Sequence, residues 1–222
     1  MRTFSKLLFA IVVAFGLQAA AGEARADEII FSNFGPGMTF NTSTGWNVSG
    51  ANVFGGRVVA QSFSPLTGFT FSNAQLAIGI IDGPNLLQVV LMTSSGALQQ
   101  PDTIIETITL TNAVSPFTPS GIVLANSTLH PVLNPGEQYW LVAFAPNDTT
   151  FMAWNFSVND SPQAFSLLNG SHSLTGPWEF GSPRGAFQVV GTPIPEPATI
   201  LLLGPALAVI TLRRRRRRNR QT

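Results

Sequence analysis

Glu137-Gln138-Tyr139-Trp140-Leu141-Val142-Ala143-Phe144-Ala145 is the stretch that decides the fold class. Read with a period of two, it sends Tyr139, Leu141 and Ala143 to one side and Trp140, Val142 and Phe144 to the other. A strand apolar on both faces belongs inside a sheet, not at its edge. Leu133-Asn134-Pro135-Gly136 supplies the turn ahead of it. Just beyond, residues 150–158 alternate as cleanly, with Met152, Trp154, Phe156 and Val158 toward a core and Phe151, Ala153, Asn155 and Ser157 opposite.

The same grammar runs outward in both directions. Short apolar or alternating runs at 29–32, 57–63, 68–81, 86–92, 104–110, 122–125 and 185–190 are separated by turn formers such as Gly35-Pro36-Gly37 and Asp82-Gly83-Pro84-Asn85. The run at 68–81 is long enough for two strands or one bent strand. No helical period intrudes between residues 27 and 191. The expectation is one all-β domain over 27–191, a β-sandwich that is jelly-roll-like or immunoglobulin-like, with about eight to ten strands. A segment of that length can bury a continuous core.

Charge is distributed unevenly along the chain. The formal net charge of +1 hides a domain with two bases, Arg57 and Arg184, against nine acids, a balance of −7 over residues 27–191. Such a surface disfavours nucleic acid and other polyanions, which need clustered Lys and Arg. With no cysteine in the chain, no disulfide is available and packing must supply stability.

Residues 1–26 read as a signal peptide. Arg2 and Lys6 make the basic start, residues 7–17 the apolar run, and Ala24-Arg25-Ala26 an A-x-A cleavage site, with Ala19-Ala20-Ala21 the runner-up. Sec-type export machinery and signal peptidase are the partners this implies.

At the other end, Pro195-Glu196-Pro197 precedes an uncharged run at 198–212, followed by Arg213, Arg214, Arg215, Arg216, Arg217, Arg218 and Arg220. As a helix the run would be roughly 22 Å long at 1.5 Å per residue. That is short of a bilayer core of about 30 Å, but snorkelling of Arg213 and entry of residues 192–194 into the interface can close the gap. The arginines hold the tail on the cytoplasmic side, so the run predicts a transmembrane helix with the domain outside.

The tripartite order of Pro195-Glu196-Pro197, apolar run and arginine cluster resembles the PEP-CTERM sorting signal of exopolysaccharide-producing bacteria. The resemblance covers residues 192–220. It implies that an exosortase-like enzyme in the membrane recognises the motif, cuts near it and passes the protein to the cell surface or extracellular matrix. The domain, through Gln61-Ser62-Phe63-Ser64-Pro65, the run at 89–92, the run at 135–142 and a late Gly-Ala-Phe-Gln-Val at 185–189, also resembles bacterial choice-of-anchor β domains, for which no general activity is implied.

No catalytic set is legible within the domain, and the expectation is a non-enzymatic protein without cofactor. His130 and His172 stand in no metal-ligand spacing, no Gly-x-Ser-x-Gly elbow occurs, and Asp82, Asp102, Asp148 and Asp160 all lie at turns. Trp140 and Trp154 sit on apolar strands and read as core. Trp46 and Trp178 lie in polar, Gly-rich surroundings. They are the candidates for stacking on a glycan, which makes a carbohydrate-binding module for exopolysaccharide the alternative reading.

Overall fold

The computed structural model describes residues 25–95, 99–159 and 166–195. Within it, Ala26–Ile194 forms one compact unit. Among the described residues there is no helix, and thirteen strands are present. They are β1 (Glu28–Ser32), β2 (Gly45–Ser49), β3 (Val58–Phe63), β4 (Phe69–Asp82), β5 (Leu86–Ser95), β6 (Gln100–Thr111), β7 (Ile122–Asn126), β8 (Val132–Leu133), β9 (Tyr139–Phe144), β10 (Phe151–Asn155), β11 (Ser166–Asn169), β12 (Glu179–Gly181) and β13 (Phe187–Pro193).

Two antiparallel sheets pack as a sandwich. One follows the order β12-β11-β3-β9-β5-β6, and here β9 is central, flanked by β3 and β5. The other is organised by β4, a single 14-residue strand where the sequence allowed one or two. The N-terminal part of β4 pairs with β13 on one side and with β7 and β8 on the other, and its last residues pair with β10. β1 closes on β13, and β2 on β10.

The inward faces of both sheets meet in one apolar cluster. Phe71, Leu76, Ile78, Met152, Trp154 and Phe187 come from the β4 sheet, and Val59, Phe63, Leu87, Leu91, Leu141 and Ala143 from the other. Phe187 is an aromatic hub, stacked on Phe31 with ring centroids 4.8 Å apart and edge-on to Trp154 at 6.1 Å. The opposite face of β9 is also covered. Trp140 and Val142 pack there with Val58, Val90, Leu167 and Trp178, so both halves of the alternation in residues 139–144 are buried.

Three sequence-level expectations need correction. The strand count exceeds ten because β2, β8, β11 and β12 are too short or too polar to announce themselves. The alternation at 150–158 outlasts its strand: β10 ends at Asn155, Phe156 is half-buried and Val158 is exposed. Asn155, placed opposite the core, is fully buried, because its amide donates to the Asn41 carbonyl at 2.9 Å and accepts from Ser120 Oγ at 2.6 Å.

Candidate functional site

The way out of the domain is laid down by β13. This strand lies between β1 and β4, and after Pro193 the Ile194 amide still donates to the Gly68 carbonyl at 2.9 Å. Pro195 follows, exposed and outside any strand. Glu196 and Pro197, the apolar run at 198–212 and Arg213 to Arg218 lie outside the described residues, as do residues 1–24 of the export signal. Arg25 and Ala26 are exposed, immediately before β1.

Trp46 is on β2, opposite Trp154 of β10. Its indole N–H donates to the Pro183 carbonyl at 2.6 Å, and its ring meets Phe156 edge-on at 5.5 Å. Gly181 lies beneath it, where an added Cβ would come 3.2 Å from Trp46 Cζ2. The residue is half-buried and packs on the core between the sheets, while Phe180 next to Gly181 is exposed.

Trp178 is held differently. Only 8% exposed, it packs with Leu174 over the outward face of the β9 sheet, against the cluster containing Trp140 and Val142. Its indole nitrogen is buried and has no hydrogen-bond partner. Trp46 and Trp178 therefore belong to different packed clusters and do not make one stacking platform. What a sequence could not reveal is that residues 170–178 fold back over an outward sheet face and take Trp178 with them.

Several titratable groups are engaged in structure. Glu106 on β6 is buried and reaches across to the end of β7. There Ser127 Oγ donates at 2.7 Å, the Thr128 amide at 2.7 Å, the Leu129 amide at 3.1 Å and Thr128 Oγ1 at 3.2 Å. Burial works against its charge, but these hydrogen bonds outweigh it, so the carboxyl is held below the ordinary glutamate value. Glu106 thus ties the edge of one sheet to the edge of the other, a role that its exposed-looking sequence context did not suggest.

His172 adopts a left-handed backbone, stacks on Phe144 at 4.8 Å and places Nε2 2.8 Å from the Ala145 carbonyl. Asp82 caps its own turn, accepting from the Gly83 amide at 2.8 Å. Among the described residues, no three His, Cys, Asp or Glu side chains converge as metal ligands. Nor is any helix there long and apolar enough to cross a membrane. Compared with protein-family models and with curated proteins, the chain finds no match in either.

Proposed function

We propose that this chain is a non-enzymatic exported protein of the cell surface or extracellular matrix, delivered by Sec-type export and sorted through its C-terminal motif by an exosortase-like membrane enzyme. The observation that carries this is the order of Pro195-Glu196-Pro197, the uncharged run at 198–212 and Arg213 to Arg218 with Arg220. The fold is compatible with it, since β13 delivers an exposed Pro195 at the end of a locked strand. A processing enzyme needs an extended, accessible substrate, and prolines at 193, 195 and 197 favour extended backbone. The jelly-roll-like or immunoglobulin-like class, and the kinship with choice-of-anchor domains, belong to the same proposal.

Intact mass of the protein from its native surface tests the reading. A mass ending near Pro197, with Glu196→Ala giving a longer membrane-held form, is the expected result. Equal processing of wild type and Glu196→Ala would remove the motif assignment. The alternative, a carbohydrate-binding module, draws its support from Trp46, which is half-buried on β2 with part of its ring reaching solvent. Loss of polysaccharide retention in Trp46→Ala is its signature.

A further inference from the structure

The outward face of the β4 sheet has a composition that the register alone brings to light. Antiparallel partners share a face. Leu124, Gln75, Gln188 and Ser32 therefore form one row across β7, β4, β13 and β1, and Asn126, Asn73, Val190 and Ile29 form the next. The central strands carry the carboxamides of Asn73, Gln75 and Gln188, while the aliphatic side chains of Ile29 and Leu124 stand exposed on the flanking strands. None of these residues is charged. At the rim, the Asp27 carboxylate is already engaged by Ser72 and Thr192.

One of the amides is not fully satisfied by the protein. Asn73 is half-buried with Oδ1 buried and unpartnered. Leaving such a group unmade costs stability, so its retention calls for a reason. Gln188 is itself buried, at 7% exposure. One pair further along the sheet, Phe34 packs on Ala77 and Ala186 with Met38 and Phe40 beside it, making a wall at one end of the rows.

We propose that this face binds a neutral polysaccharide. A carboxamide donates and accepts at once, matching the paired hydroxyls of a sugar ring, and the aliphatic flanks suit its C–H faces. The χ2 torsion of asparagine is soft, so an arriving hydroxyl can draw Asn73 Oδ1 toward it. A protein partner fits less well. Protein interfaces have an apolar centre, and here three of the four central positions, Asn73, Gln75 and Gln188, carry carboxamides. The absence of charge likewise disfavours an anionic polymer. This site is separate from Trp46 and does not depend on the sorting proposal.

The test is affinity electrophoresis of the full chain in non-ionic detergent, through gels containing dextran, laminarin or galactomannan, with alginate as the charged control. Wild type should be retarded by at least one neutral polymer and not by alginate. Asn73→Ala with Gln75→Ala should weaken retention by about tenfold or more, the loss of one to two hydrogen bonds. Leu124→Glu, at an exposed position that leaves the core untouched, should do the same, while Trp46→Ala should not. Retention lost only in Trp46→Ala would move the site to that residue and overturn this proposal. So would no retention by any neutral polymer, equal retention by alginate, or a wild-type dimer that Leu124→Glu dissociates without any polysaccharide effect.

Discussion

Asp27 and Thr192, 165 positions apart in sequence, are joined by a hydrogen bond in which Thr192 Oγ1 donates to Asp27 Oδ1 over 2.6 Å. Ser72 Oγ donates to the same oxygen at 2.9 Å. The start of the domain is thereby fastened to its last strand, with Glu28 opposite Gly191 in the register. Because the bond is exposed, its worth is modest. Asp27→Ala and Thr192→Ala, compared singly and together by denaturant unfolding, should show a coupling of about 0.5–1 kcal/mol. Hydrogen exchange in Asp27→Ala should quicken at the β1 amides and leave those of β9 unchanged.

Glu106 should govern how the fold responds to acid. Its folded value lies below the ordinary 4.5, so its stabilisation is in place above that pH and is lost as pH falls through the folded value. At neutral pH, Glu106→Gln should cost about 2–3 kcal/mol, because an amide N–H2 would face donors from Ser127 or the backbone. The gap between wild type and variant should narrow below pH 4.5, measured by urea unfolding across the acid range.

Tyr139 is the chain's one tyrosine, so its ionisation can be read without overlap from others. Burial raises its pKa above 10. The Asn134 amide, donating to the phenol oxygen at 2.9 Å, pulls the other way, and the bond to Glu137 Oε2 at 2.8 Å raises it further. The neutral phenol is the form the fold prefers, so this contribution is full below pH 10 and is lost as pH rises through the folded value. Ultraviolet titration should place the folded transition above that of the urea-unfolded chain. Coincident curves would contradict the buried geometry.

Phe187 should be among the costliest residues to truncate. It is fully buried between Phe31, Phe63 and Trp154, so Phe187→Ala should lose about 3–5 kcal/mol. Thermal unfolding by circular dichroism checks this, and a loss under 1 kcal/mol would mean that the cavity collapses.

How much of this was legible depends on where each strand draws its stability. β9 and β10 carry their own signal, since Leu141, Trp154 and their neighbours alternate strongly enough to name the buried face. β2 and β12 carry almost none. Gly45–Ser49 is held by its pairing with β10, supplied by residues far along the chain, and Glu179–Gly181 by its pairing with the preceding strand β11 across the loop that carries Trp178. The candidate site divides in the same way. Trp46 and Trp178 stood out by residue type, but whether a tryptophan is displayed depends on the loops that fold over it. Asn73, Gln75 and Gln188 look like ordinary outward positions, and only the register sets them side by side.

The position of β13 also decides how the domain bears load. A pull on the chain beyond Pro195 is transmitted along a strand bonded on both sides, to β1 and to β4. Force along a strand shears its ladder, so the bonds to both neighbours share the strain and must yield together, whereas a strand peeled from an edge loses them one at a time. Force directed along β13 would therefore have to break two ladders, to β1 and to β4, where an edge strand has one.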